Sequence, residues 1–322
     1  MSDRVVHIAA PSRLHFGMFS FGRVGGRQFG GVGMMIDSPQ LRLTISPAEQ
    51  WEVYGPDEAR IRQCAGHLLR AGWLSELPRC RIELAAAPRR HVGLGSGTQL
   101  SLAVAAGLNA FVGGPGRSAA EWAAATGRGA RSAVGVHGFL HGGLLVEAGK
   151  LTSEPLAPLV ARAELPPQWR FLLLCQPGEG LSGDEERRAF ERLPPMPADV
   201  TDALAREALL ELLPAAQTGD FDRFSKSLYE FGHRAGRCFA ALQGGPFRGR
   251  RAAQLVEMVR DLGIEGVGQS SWGPTVFALL PDESAAHGTL QRLNALDRMQ
   301  DVQTTIAGPQ NCGARIDVSQ GD

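Results

Sequence analysis

Polar and apolar positions divide the chain into a strand-rich first third and a mixed remainder. Arg4 to Ala10 alternates with a period of two and predicts an opening strand, with Pro11 and Gly17 bracketing the turn or edge that follows. If that bracketed segment is extended, Arg13 and His15 share one face, where a guanidinium and an imidazole suit an anion; the blander reading is a surface arginine beside a satisfied histidine. The glycine density from Phe21 to Asp37 predicts a hairpin that approaches a ligand through its backbone, followed by an apolar strand from Val32 to Ile36. Further strands are expected over 40–46, 51–54 and 81–85. Ile61, Cys64, Ala65, Leu68 and Leu69 have helical spacing and predict a helix over 57–71. Ser118 and Glu121 form a capping-box pattern ahead of a helix from Ala119 to Thr126.

The second half alternates strand and amphipathic helix. A proline-rich stretch over 154–168 marks a boundary, giving an N-terminal domain over 1–165 and a C-terminal domain over 166–322. A strand from Trp169 to Cys175 leads to a glycine-rich loop around Glu179, expected near a ligand, and to an acidic run at 184–186 that reads as a solvated helix start. Helices are expected over 199–213, 220–242, 250–262 and 283–296, and a last strand over 302–306. Between them, 263–281 reads as strand, tight loop, strand. That loop gathers Gln269, Ser270, Ser271, Trp272 and Thr275, which suit a flat polar substrate; a turn with a packed tryptophan is the alternative.

The stretch from Pro88 to Asn109 carries the strongest local chemistry. Gly93, Leu94, Gly95, Ser96, Gly97 and Thr98 run into an Ala- and Leu-rich segment that reads as a buried helix. Glycines let backbone N–H groups approach a phosphate, and the helix adds the positive end of its dipole, so the loop predicts an anion cradle. No Gly-Lys-Ser/Thr follows, and the third glycine of a dinucleotide fingerprint is missing. A plain strand-to-helix turn is the alternative. Downstream, Arg131, Ser132, His137 and His141 lie in a small-residue context. Two histidines four apart suit a metal only on a helix, and Gly135, Gly138 and Gly142 weaken that helix without a third ligand in view, so zinc is not expected.

Composition narrows the partners. The 322 residues suffice for two domains, and 33 basic residues balance 33 acidic ones, which gives no global field toward nucleic acid or a membrane surface. Lys150 and Lys226 are the only lysines, a bias that genome composition can produce, so an arginine is read as functional only inside a motif, where its fixed fork suits phosphate and carboxylate. Five cysteines without paired spacing predict small buried residues rather than disulfides or a metal site. The first residues lack the apolar core of a signal peptide, and no run is long enough to span a bilayer. A cytoplasmic location is the expectation.

Three motifs, Pro11-Ser-Arg-Leu-His15, the Pro88–Ala106 stretch with its Gly-Leu-Gly-Ser core, and Gly266-Val-Gly-Gln-Ser-Ser-Trp-Gly-Pro274, resemble in order and spacing the three signatures of the GHMP kinase superfamily. The resemblance implies an α+β, two-domain fold. Its N-terminal domain would be like the second domain of ribosomal protein S5, its C-terminal domain ferredoxin-like, with the active site between them. Arg128 to Val136, the later His141-Gly-Gly, and above all Gly268 to Thr275 resemble the beta-ribofuranosylaminobenzene 5'-phosphate synthases within that superfamily.

That family's reaction joins a 4-substituted benzoate, 4-aminobenzoate or 4-hydroxybenzoate, to C1 of phosphoribosyl pyrophosphate. It releases carbon dioxide and pyrophosphate on the way to methanopterin-type carriers. Where many GHMP kinases place a catalytic aspartate, this chain has His137, which weighs against the kinase reading; an ATP-dependent kinase and a non-catalytic nucleotide-binding protein remain the alternatives. On the resemblance, 93–98 hold the pyrophosphate, and Arg13, His15, Arg131 and His137 are the catalytic candidates. Gln269, Ser270, Ser271, Trp272 and Thr275 bind the benzoate. Mg²⁺ is expected on the Ser96 or Thr98 hydroxyl, with Asp37, Glu147 and Glu179 as candidate carboxylates and no organic cofactor. A homodimer is left open.

Overall fold

The computed structural model describes residues 3–23, 25–181 and 183–320; Val24 and Ser182, which fall in two of the expected loops, lie outside the described residues. Its strands are β1 (Arg4–Ser20), β2 (Phe29–Pro47), β3 (Glu52–Tyr54), β4 (Cys80–Ala86), β5 (Leu144–Glu147), β6 (Leu159–Ala163), β7 (Arg170–Cys175), β8 (Val267–Gln269), β9 (Thr275–Leu280), β10 (Gln303–Ala307) and β11 (Arg315–Gln320). The helices are α1 (Glu58–Arg70), α2 (Ser96–Phe111), α3 (Ala119–Thr126), α4 (Val134–His141), α5 (Gly183–Arg192), α6 (Ala198–Glu207), α7 (Leu213–Thr218), α8 (Phe221–Arg237), α9 (Ala240–Gln243), α10 (Gly249–Asp261) and α11 (Glu283–Asn294). One sheet runs β11-β1-β2-β4-β3, with β5 on the upstream part of β2 and β6 on β5; the other is antiparallel in the order β10-β7-β9-β8.

The opening strand does not stop at Pro11. It continues to Ser20 through bulges between Ala10 and Ser12 and between His15 and Gly17, and a bulge is where a strand tolerates proline and re-aims its side chains. Before the first bulge Val6, Ile8 and Ala10 pack into the core under α2. After it, Leu14 and Phe16 pack into a second core, and the shift leaves Arg13 and His15 on the other parity. The hairpin glycines serve the strands rather than a ligand. A Cβ at Gly31 would lie 2.2 Å from the Gly17 oxygen, and one at Gly30, which has φ of 72°, 2.5 Å from the Gly149 nitrogen.

Helix α2 is apolar on every side and correspondingly buried. It lies close on the first sheet because Gly107 leaves room: a Cβ there would be 2.8 Å from the Cδ1 atoms of both Ile8 and Ile45. The Ser118–Glu121 capping box is fully formed at the start of α3. Behind the second sheet, Leu255, Val256 and Val259 of α10 and Leu293 of α11 cover Leu172, Leu174 and Val276.

The division between the halves is less linear than the proline-rich stretch suggests. That stretch contains β6, which extends the first sheet, and β11 crosses back to pair with β1 from Arg4 with Gln320 to Ala9 with Arg315. The two sheets also share one hydrophobic core, in which Leu14, Phe16 and Met34 meet Phe171, Phe224, Phe231 and Phe277. Such a core fixes the halves against each other and fixes whatever lies between them.

Candidate active site

The three motif segments converge between the sheets, stitched through one buried hydroxyl. Ser270 Oγ accepts from the His15 N–H at 3.1 Å and donates to the Gly93 carbonyl at 2.7 Å. Beside it the Ser271 N–H donates to His15 O at 3.0 Å, and the Arg13 N–H to Leu94 O at 2.9 Å. Contact at this density needs glycine. A Cβ at Gly273 would be 2.3 Å from the Gly93 nitrogen, and one at Gly93 2.3 Å from the Ser270 oxygen. Gly93 thus serves the junction between the loops while also lining the cleft, and Leu94 is a core residue, so Gly93 and Gly95–Thr98 are the cleft-facing part of the cradle.

There α2 begins. Gly95 caps it in the left-handed conformation, φ 70°, and its carbonyl takes the Thr98 and Gln99 N–H groups. By helix geometry the N–H groups of Ser96 and Gly97 then face outward from the first turn. They open on a cleft of about 460 Å³ lined by Arg13, Arg60, Arg90, Arg128 and Arg131, against Glu186 as the one carboxylate among the described lining residues. Asp57, at the head of α1, pairs with Arg60 at 3.6 Å and with Arg90 and holds both at the rim. Arg128 is fastened from behind, its Nε and Nη2 donating to Ser101 Oγ at 3.1 and 2.9 Å while Ser101 donates to the Gly97 carbonyl. Five cations around a helix N-terminus favour a ligand with several negative charges.

Arg13 and His15 both line the cleft. Arg13 Nε and His15 Nε2 are buried without a hydrogen-bond partner. Burial lowers the Arg13 pKa, against the pull of Glu186 and Glu147. Burial first, and the Arg13 charge second, push His15 down to about 3, so its ring is neutral at neutral pH. Arg131 pairs with Glu186, whose carboxyl is raised by burial against the opposing charges of Arg131 and Arg13. Arg60, Arg90, Arg128 and Glu186 were not among the residues expected from the sequence. Glu186 stood in an acidic run indistinguishable from a solvated helix start, Arg60 lies outside the motifs, and Arg90 and Arg128 lie inside motif stretches where nothing local marks them as facing a ligand.

A second, smaller cavity, about 60 Å³, continues from the cleft. His15, Met18, Glu186, Ser271 and Trp272 line both, and beyond them the walls are Phe190, Phe239, Phe247, Ala235 and neighbouring glycines. Trp272 faces this cavity with its ring stacked on Phe190, centroids 5.0 Å apart and 25° between planes. Ser271 is exposed at the junction, with φ of 55°.

The remaining expected residues sit elsewhere. Gln269 borders the small cavity, but its amide is engaged by the Arg248 N–H and the Gly273 carbonyl, both at 2.7 Å. Ser270 is the hub described above, and Thr275 is fully buried in β9 outside both cavities. His137 pairs through Nε2 with the Ala157 carbonyl at 2.9 Å and stacks on His141, so α4 turns both histidines from the cleft. No cluster of metal-binding side chains forms among the described residues. Of the three candidate carboxylates, Asp37 accepts from the Gly308 N–H, Glu179 meets Arg248 through its carbonyl, and Glu147 lies behind the cleft wall.

Glu147 has a pH signature. Fully buried, it accepts the Ala133 N–H at 2.6 Å at the head of α4, while its Oε1 has no partner. Burial raises its carboxyl from 4.5 to about 7, against hydrogen bonds from Ser132, Ala133 and Val134 and the Arg13 charge. Between those values the folded protein keeps a proton that the unfolded chain has released. Stability therefore falls as pH rises through the window, by on the order of 3 kcal/mol. Glu147→Gln, which cannot ionise, should narrow the Tm difference between about pH 5 and about pH 8. An unchanged difference in thermal unfolding would show that the wild-type carboxyl titrates normally.

Known proteins resemble the chain over most of its length. Residues 209–297 match the family model described as GHMP kinases C terminal. The chain is 27% identical to the beta-ribofuranosylphenol 5'-phosphate synthase of Archaeoglobus fulgidus over 98% of this chain and 100% of that one. It is 29% identical to the protein of the same name from Methanothermobacter thermautotrophicus, over 86% and 89%. Among solved structures, the phosphomevalonate kinase of Streptococcus pneumoniae superposes with a TM-score of 0.68 over 95% of this chain and 99% of that one; at 13% identity the likeness is one of fold.

Proposed function

The chain belongs to the beta-ribofuranosylaminobenzene 5'-phosphate synthase family of the GHMP kinase superfamily, and from that premise we propose that it joins a 4-substituted benzoate to phosphoribosyl pyrophosphate with loss of carbon dioxide. The relatives are named for a ribosylphenol, which favours 4-hydroxybenzoate over 4-aminobenzoate as the acceptor. One observation carries the reading. A cleft with five arginines and one carboxylate opens directly into an aromatic cavity, so a polyanionic donor and a flat aromatic acceptor have adjoining places.

In this reaction the ring carbon bearing the carboxylate attacks C1 of the ribose, and the C1–O bond to pyrophosphate breaks with its electron pair on the leaving group. The carboxylate then leaves as carbon dioxide, and its bonding pair restores the aromatic ring. No proton is gained or lost overall, so the site needs no strong general base. A neutral His15 fits that requirement as a hydrogen-bonding partner for the acceptor. Negative charge grows on the departing pyrophosphate, where Arg13, Arg128 and the start of α2 are already aimed; preorganised groups of this kind favour the transition state most. Arg131 lines the cleft beside Glu186, and an arginine that serves a phosphate of the donor rather than the carboxylate leaves decarboxylation unopposed.

The lining oxygens suit a Mg²⁺ ion that arrives with the pyrophosphate: the Ser96 and Thr98 hydroxyls and the Glu186 carboxylate supply few protein ligands, as that ion usually accepts, and its charge would further neutralise the leaving group. Incubation with phosphoribosyl pyrophosphate, Mg²⁺ and carboxyl-labelled 4-hydroxybenzoate should release labelled carbon dioxide and pyrophosphate in equal amounts. Absence of both, or ADP formed from ATP and an alcohol instead, would return the chain to the kinases or to the binding proteins.

A further inference from the structure

The aromatic cavity adjoins the cleft but is too narrow for a benzene ring as it stands. Its volume of about 60 Å³ is well under the roughly 150 Å³ that holds benzene in an engineered protein core. Yet His15 Nε2, in a side chain only 3% exposed, is left without a partner at its mouth. What fills the space is α5. Phe190 covers the face of Trp272 and meets Phe239 edge-on at 5.8 Å. One turn earlier on the same helix, Glu186 pairs with Arg131, and the Arg131 guanidinium carbon also lies 5.7 Å from the centre of the Phe190 ring. A single arginine of the anion cleft thus touches both the acidic and the aromatic contact of α5.

We propose that the aromatic cavity is the binding site for the benzoate ring and that it opens when a phosphate of the ribosyl donor takes Arg131 from Glu186. This rests on the reaction proposed above and adds an order to it. Glu186 is an internal anion on a guanidinium that an incoming phosphate also fits. Once displaced, it no longer anchors α5, and Phe190 comes away from Trp272. The benzoate ring takes the vacated face, with His15 Nε2 within its reach. The donor binds first and the acceptor second, so the acceptor finds no open cavity beside an empty cleft.

The sign of the coupling tests this. Pyrophosphate and benzoate are both anions, so Coulomb repulsion alone makes the first weaken binding of the second. The latch demands the opposite. Calorimetric titration of the full-length protein with 4-hydroxybenzoate should show binding about tenfold or more tighter in saturating magnesium pyrophosphate than without it. Glu186→Gln should bind 4-hydroxybenzoate without pyrophosphate about as tightly as the wild type does with it. Phe190→Ala, which empties the cavity directly, should also bind without pyrophosphate.

Unchanged or weaker wild-type binding in pyrophosphate overturns the proposal, as does a pyrophosphate dependence that persists in Glu186→Gln. Failure of all three proteins to bind 4-hydroxybenzoate overturns the cavity assignment. The labelled-carboxyl assay on the same preparations separates the two levels. Turnover without positive coupling removes the latch and leaves the reaction, whereas positive coupling without turnover removes the reaction and leaves the cavity.

Discussion

An Arg13→Met variant is expected to melt at a higher temperature than the wild type while losing about 10³-fold in kcat/KM. The stabilisation follows from what surrounds the guanidinium. Burial is the largest influence on its pKa, with Glu186 and Glu147 only partly opposing it, and Nε has no hydrogen-bond partner. Arg13 forms no ion pair among the described residues, so the folded protein carries a cation at the expense of stability. An apolar side chain of similar length should recover about 1 kcal/mol or more. Loss of the Arg13 charge leaves Glu147 unopposed, but a carboxyl already raised to about 7 can answer by taking a proton. The activity should fall because Arg13 lies against the start of α2, its Nε 3.4 Å from where a Gly95 Cβ would be, among the groups that receive charge on the leaving pyrophosphate. Thermal unfolding and steady-state kinetics on one preparation decide the matter. If the melting temperature falls together with the activity, Arg13 is a structural residue.

Local pattern reveals an element when that element carries its own signal. The helix Ala119–Thr126 was legible because a capping box is a short-range device, and 57–71 because one face of it is apolar. The strand β11 had no such signal. Every residue from Arg315 to Gln320 is exposed, and only pairing with β1 makes the segment a strand. The continuation of β1 past Pro11 was hidden for a related reason: proline normally ends a strand, and the bulge that admits it is set by the partner strand rather than by the residues themselves.

The site divides along similar lines. The three motifs announced themselves by unusual composition, but composition does not say which atoms face a ligand. Ser270 and Gln269 look like substrate-binding groups in the sequence, and in the fold they hold the loop together, their polar atoms already engaged. Arg60 belongs to no motif, and Arg90 and Arg128 sit at the edges of theirs; only the packing of α1 and of the segment before α4 against α2 brings the three into one cleft. Glu186 could not be told from Asp184 or Glu185 in the chain. Helical periodicity turns Glu186 toward Arg131 and leaves its two neighbours exposed.

The glycines of the cradle differ in the same way, and Gly95→Val should weaken pyrophosphate binding by more than about 100-fold while Gly97→Ala weakens it by less than about tenfold. Gly95 has φ of 70°, which costs an L-residue on the order of 1–2 kcal/mol, and valine is among the residues least suited to it. A Cβ there would also stand 3.2 Å from Arg13 Cβ, so relief comes either by rebuilding the first turn of α2 or by moving Arg13. Either response disturbs the N–H groups and the guanidinium together. Gly97 is already helical, where alanine is favoured by roughly 0.5–1 kcal/mol. Its nearest obstacle is Arg60 Nη2 at 2.8 Å, the far end of a flexible side chain that can swing aside. Calorimetric titration with magnesium pyrophosphate measures both. Equal losses in the two variants would mean that glycine is needed along the loop merely for close packing, and the assignment of the α2 N-terminus as the pyrophosphate site would fall.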